Sequence, residues 1–262
     1  MVRFDTSSIS QSIFERLINS GRVSSTFLAS QWRMHPSISR ITSVPFYKCL
    51  FHNPAPVGNF VTNYNQPHVN PRQFNPMTFV DTSTLRDHYE DDAGDGEIRN
   101  EIEAAVVSDL LQRLYSLCGD DGLDDQIAII CAYRAQVQQI RLDIDRNVPA
   151  LLNHHSRLQR NVLVCTVDSM QGSQRGIIIF SATRSNSLHA TGFVKDRRRL
   201  NVSVTRAQFL NIVVGDSITI KAQKEGYGIP GLADIYRRCS RGEHGSCVMN
   251  CLLYTSPSPR DA

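Results

Sequence analysis

Lysine is nearly missing from this chain. Of its 28 basic residues only four are lysines (Lys48, Lys195, Lys221 and Lys224), against 24 arginines. None of the four follows a glycine and precedes Ser or Thr, the setting a phosphate-cradling P-loop lysine needs. No acidic pair follows a strand in the way a Mg²⁺-binding Walker B pair does. Long apolar runs are missing too. Ile177–Phe180 and Ile212–Val214 are of buried-strand length, far short of the ~18 residues a membrane span needs. The N-terminal MVRFDTSSIS lacks the apolar core of a signal peptide, so an intracellular protein is expected, in nucleus or cytoplasm alike. No CxxC pair and no internal repeat occur. The seven cysteines are odd in number and several sit in apolar runs, so they read as reduced core thiols. Only Cys239, His244, Cys247 and Cys251 crowd as ligands do, and no metal site is expected there.

What is present is a globular composition. The 262 residues are 41% hydrophobic and 20% charged, enough for one large domain or two small ones. That excludes a disordered chain, a collagen-like fibre and a coiled-coil rod. A net charge of +3 does not by itself mark a nucleic-acid binder. The arginine excess has two readings. Arginine's planar fork suits bidentate phosphate contacts, and a codon bias would produce the same count.

Five short apolar or β-branched runs read as strands: Met77–Val80, Gln126–Cys131, Val162–Val167, Gly176–Phe180 and Phe209–Val214. Most are continuous rather than alternating, as in parallel strands covered on both faces. Helical patterns lie between them at Ile98–Leu117, Arg134–Arg146 and Arg198–Ala207. The alternation predicts an α/β domain with right-handed crossovers. Asn53–Pro76, with five prolines, reads as a long loop. Asp87–Glu97 holds six acids among eleven residues and reads as a solvated loop. Thr255–Ala262 has no core-forming pattern and is expected to be disordered.

Three segments carry the chemistry. Gln31–Ile38, QWRMHPSI, sets an arginine between an aromatic and a methionine; by itself it also suits an ordinary loop leading into a helix at Pro36. Thr166–Asn186 runs from a buried strand through a polar turn into a second strand that ends in Thr183-Arg184-Ser185-Asn186. Polar groups at the C-terminal ends of parallel strands stand where open α/β sheets bind ligands, while Asp168, Ser169 and Gly172 also suit a cap and turn. Gly192–Asp216 brings Arg197, Arg198, Arg199 and Arg206 onto a helix that feeds a strand. Arg199 and Arg206, seven residues apart, are expected on one helical face, forming either an anion site or a solvated basic face.

The order and spacing of these segments resemble the second RecA-like domain of superfamily 1 helicases of the nonsense-mediated-decay type, a group that includes senataxin. Gln31–Ile38 is similar to motif IV (QYRMHPxI), Thr166–Asn186 to motif V and its extension, and Gly192–Asp216 to motif VI. Ser12–Leu17, Ile129–Gln136, Asn100, Glu103 and Ala104 match as well, so the resemblance covers Ser12 to Ser217. It implies a RecA-like α/β domain, of the P-loop-NTPase type but without its own P-loop, with a mostly parallel sheet flanked by helices. It implies a motor half that works on ATP with Mg²⁺, and on single-stranded RNA or DNA. The Mg²⁺ ligands and phosphate cradle are expected in a first RecA-like domain. The resemblance makes Arg206 and Arg33 the residues that reach the γ-phosphate. It puts Gln171, Gly172 and Gln174 at the nucleotide, and Thr166, Ser181, Arg184 and Asn186 at the nucleic-acid backbone.

Departures from the pattern are Trp32 for Tyr in motif IV, Gln174 for a nucleotide-contacting Glu, Gly176 for an Asp, and Gln208 for a basic residue. On this reading Gln174→Glu is expected to tighten ATP binding. The expected boundaries are 1–25 for the end of a preceding motor domain or linker, 26–222 for the RecA-like domain, and 223–262 for a C-terminal extension. Cys251–Ala262 resembles translated sequencing adapter and is expected to be non-native and disordered. The chain is expected to be a fragment, inactive in isolation. The alternative is a degenerate RecA-like module that binds nucleic acid or protein without hydrolysis.

Overall fold

A computed structural model describes residues 12–50, 52–54, 74–118, 126–147, 162–222 and 229–250. Most of the expected Asn53–Pro76 loop, and the 251–262 tail, lie outside the described residues. The helices are α1 (Ile13–Asn19), α2 (Pro36–Tyr47), α3 (Glu101–Cys118), α4 (Arg134–Asn147), α5 (Arg197–Val204), α6 (Ser217–Lys221) and α7 (Pro230–Ser240). The strands are β1 (Met77–Asp81), β2 (Asp91–Gly94), β3 (Glu97–Arg99), β4 (Ile127–Cys131), β5 (Leu163–Thr166), β6 (Arg175–Ser181), β7 (Ala207–Gly215) and β8 (Cys247–Asn250).

Six strands form one parallel sheet in the order β5-β4-β6-β7-β1-β8. All five strand expectations fall on its members. Their apolar continuity follows from burial on both faces. Ile178 and Phe180 pack with Ile38, Leu200 and Ile235 on the side of α2, α5 and α7. Ile177 and Ile179 pack with Val107, Leu111 and Leu114 on the side of α3. This is the period-2 alternation of a strand feeding two cores. The sheet is thus sandwiched between helical layers, as the resemblance implied.

Three expectations need correction. Residues 229–250 do not stand apart as an extension: β8 pairs with β1, and Leu232, Ala233, Ile235 and Cys239 of α7 join the core. The predicted helix from Ile98 begins at Glu101, because Ile98 belongs to β3. Its buried stripe runs through Ala104, Val107, Leu110, Leu111 and Leu114, so Leu110 and Leu114 of the expected row face the core while Val106 is only partly buried. The acidic Asp87–Glu97 segment is not all solvated loop: it contains β2 and the start of β3, an antiparallel ribbon, and Glu90 beside it is half-buried.

Candidate functional site

The sheet offers two areas at opposite ends of its strands. The first lies at the N-terminal ends of β6 and β7, where the Arg175 N–H donates to the Arg206 carbonyl at 3.1 Å. Arg33 reaches this point from the loop before α2. Gln31 shapes that loop: its Oε1 accepts from the Arg33 and Met34 N–H groups at 3.1 and 2.9 Å, and its Nε2 donates to the Met34 carbonyl at 2.8 Å. The His35 N–H then bonds the Gln208 carbonyl of β7 at 2.7 Å, and the His35 ring caps α2 through the Ser37 N–H. Pro36 does start a helix, as the plain reading of that segment had it.

Arg33 Nε donates to Gln174 Oε1 at 2.8 Å and Arg33 Nη1 to the Thr205 carbonyl at 3.0 Å. Arg206 Nε donates to the Val202 carbonyl at 3.1 Å and Nη2 to Thr205 Oγ1 at 3.4 Å. Every one of these acceptors is neutral. Arg184, Arg198, Arg199 and Arg238 are, by contrast, each paired with a carboxylate. Burial, and then the nearby charge of Arg33, pull the Arg206 guanidinium below its ordinary value. Two guanidiniums are thus held near each other by neutral groups alone. Gln171 and Gly172 are exposed on the turn leading to Gln174. Gly172 has φ 84, a left-handed conformation that glycine adopts without strain.

The expected shared face of Arg199 and Arg206 is not formed. Helix α5 ends at Val204 and the chain turns at Thr205 into β7, so the seven-residue spacing crosses a helix end. Arg199 instead grips Asp168 with two bonds, at 3.0 and 3.2 Å. Gly176 is not in this site either. It is buried in β6, and a Cβ there would meet Gln126 Oε1 at 2.7 Å and the Phe209 ring at 3.1 Å.

The second area is a cleft of about 1060 Å³ at the C-terminal ends of β4 and β5, bounded by Glu97 and Ile98 of β3. Thr166, Ser169, Arg134, Arg141, Arg184 and Arg199 line it, with Glu97 and Asp168 as the acids. The two areas lie toward opposite ends of β6, itself roughly 20 Å long at strand rise. The segment from Thr166 to Gln174 joins them, and so does α5 with the residues after it.

The four residues expected at nucleic acid divide. Thr166 and Arg184 line the cleft. Ser181 is fully buried; its hydroxyl donates to Glu103 Oε2 at 2.7 Å, so direct contact with a nucleic acid is sterically closed. Asn186 is partly buried and its amide serves Glu90 and the Ala190 carbonyl, which makes it a loop brace. Residue patterns gave no sign of Glu90, and named Glu103 only as a match to the family, without a role. Glu90 pairs with Arg184 at 3.1 Å, both side chains nearly buried, and accepts from the Ser185 N–H. Glu103 is fully buried and accepts from Ser181 and from the Thr183 N–H at 2.8 Å; its other oxygen has no partner among the described residues. Thr183 sits at φ 66, rare for a β-branched residue and held here by that bond. Glu90 gave no signal because it lies in an acidic run that reads as solvated.

With this geometry in view, residues 9–218 match the AAA domain family, and the chain belongs to that family. Several of its relatives are named as helicases. It is 34% identical over 218 residues to the Drosophila melanogaster regulator of nonsense transcripts 1 homolog, which covers 82% of this chain and 17% of that protein. It is 31% identical over 210 residues to ATP-dependent helicase upf1 of Schizosaccharomyces pombe, covering 80% of this chain and 21% of the relative. Against helicase sen1 of the same yeast it is 29% identical over 219 residues, covering 81% and 12%. The chain therefore spans only 12 to 21% of the length of these three relatives.

Proposed function

We propose that this chain is the second RecA-like motor domain of an ATP-dependent helicase acting on single-stranded RNA or DNA. The observation that carries this reading is the Arg33–Arg206 pair, adjacent guanidiniums whose acceptors are all neutral. An anionic phosphoryl group fits such a pair. ATP bound with Mg²⁺ supplies that group. Arg33 and Arg206 would hold its oxygens, and Arg206 would neutralise charge as the phosphoryl group transfers. Among the described residues no cluster of three His, Cys, Asp or Glu could hold a metal ion, so the reading assigns Mg²⁺ to a first RecA-like domain. The exposed apolar side chains of α1, Ile13 (76%) and Phe14 (74%), support a packing partner on that side.

Nucleic acid is assigned to the cleft, with Thr166, Ser169 and Arg134 at its wall and Arg184 at its floor. Backbone contacts of this kind are indifferent to sequence, which suits a translocating motor. No helix among the described residues is long and apolar enough to cross a membrane. The test joins the chain to its first motor domain and measures nucleic-acid-stimulated ATP hydrolysis with Arg33→Ala, Arg206→Ala and Arg134→Ala. Loss of hydrolysis in the first two, and loss of nucleic-acid affinity in the third, are expected. Nucleic-acid binding with no hydrolysis by the parent protein would favour the non-hydrolysing module instead.

A further inference from the structure

We propose that Gln174 is a positioning residue that holds Arg33 in the anion site without cancelling its charge. The inference rests on the arginine-pair reading above. Gln174 immediately precedes Arg175, whose N–H bonds the Arg206 carbonyl at 3.1 Å. Strand pairing at the next residue therefore keeps the Gln174 backbone close to that of Arg206. Its Oε1 takes the Nε–H of Arg33, and the Thr205 carbonyl takes one Nη1–H. A guanidinium has five N–H donors, so three remain for an incoming anion. Arg206 likewise uses one Nε–H and one Nη2–H on neutral acceptors, which leaves another three.

The identity of the tether decides what those donors can do. A carboxylate at the same place would meet Arg33 Nε at ion-pair distance. An incoming phosphate would then compete with a built-in anion, and one of the two positive charges would be neutralised in the free state. An amide of the same shape aims Arg33 equally well and leaves both charges for the ligand. This is the opposite sign from the sequence reading, in which the Gln174 oxygen contacts nucleotide and a glutamate tightens binding. The oxygen faces Arg33, whose Nε–H takes one of its two lone pairs.

The test titrates the purified chain with inorganic tripolyphosphate at low salt by calorimetry, and separately measures the thermal midpoint of the ligand-free protein. Gln174→Glu is expected to weaken tripolyphosphate binding several-fold while leaving the ligand-free midpoint unchanged or raised, because the new ion pair relieves repulsion between the arginines. A merely structural role would move both readings down together. Gln174→Leu, which removes the tether but adds no charge, should weaken binding less than Gln174→Glu does. Equal or tighter binding by the glutamate variant, with Arg33→Ala and Arg206→Ala still impaired, would overturn the role of Gln174 alone. No binding by the parent chain, or binding indifferent to both arginine variants, would overturn the anion site itself.

Discussion

Arg206 is held by the last turn of α5 and by Thr205, so its guanidinium is already aimed before any anion arrives. Such preorganisation acts mainly on charge that develops in a transition state. In a protein joined to its first motor domain, Arg206→Ala is expected to cut ATP turnover by at least ~10³, far more than it weakens ATP binding. Arg206→Lys should recover little, because an ammonium cannot copy the fork. Steady-state kinetics with a direct binding measurement check both; turnover within a few-fold of the parent would remove the role. Glu103 makes a different prediction. Burial raises its carboxyl from 4.5 to about 8. The folded chain thus keeps a proton that the unfolded chain releases between those values. The associated stability is fully present below the unfolded value and is lost as pH rises toward 8. One such proton gives a slope of about 1.4 kcal/mol per pH unit. Urea unfolding from pH 5 to pH 8 should show this decline in the parent chain and a flatter profile in Glu103→Gln. Parallel profiles would show that Glu103 does not hold the proton.

The loop after β6 is an element under restraint. Glu103 takes its Thr183 N–H, Glu90 its Ser185 N–H and Arg184 side chain, and Asp216 the Ser185 hydroxyl. Three acids thus clamp a short backbone stretch that carries Arg184 into the cleft. Burial raises the Glu90 carboxyl above its usual range, and the Arg184 charge only partly opposes this. Removing one member of a nearly buried ion pair leaves the other uncompensated, which costs on the order of 3–5 kcal/mol. Glu90→Ala is therefore expected to destabilise the chain by that order. Its chemical denaturation midpoint should drop strongly at pH 7. A loss under ~1 kcal/mol would mean that Arg184 finds solvent or another partner when released.

At the scale of the whole molecule, the two areas lie toward opposite ends of the strands, joined by Thr166–Gln174 and by α5 with Thr205. The Asp168–Arg199 pair ties these two links together at the cleft end. On the proposed reading the chain brings half of a site to ATP. No P-loop lysine stands among its four lysines. The isolated chain is accordingly expected to show no ATP hydrolysis above background, since groups that act as a unit lose nearly everything when part is missing. Phosphate release by the purified chain, against an Arg206→Ala control that removes contaminant activity from consideration, would contradict this.

The parallel sheet was legible in the sequence, because strands buried on both faces must be continuously apolar, as in Ile127–Cys131 and Ile177–Phe180. Motif order is a linear property, and the residues it singled out, Arg33, Gln174 and Arg206, do meet in space. The partner of each side chain was decided by tertiary structure. Glu90 and Arg184 are 94 residues apart and pair only when the β2–β3 ribbon folds against the strand ends. Ser181 reads as a polar strand end in the sequence, and only packing against α3 shows that it faces Glu103. Whether Gln174 serves a ligand or an arginine could not follow from its identity, since an amide oxygen accepts equally from either. The register of β6 against β7 and the loop before α2 bring Arg33 Nε to 2.8 Å from it.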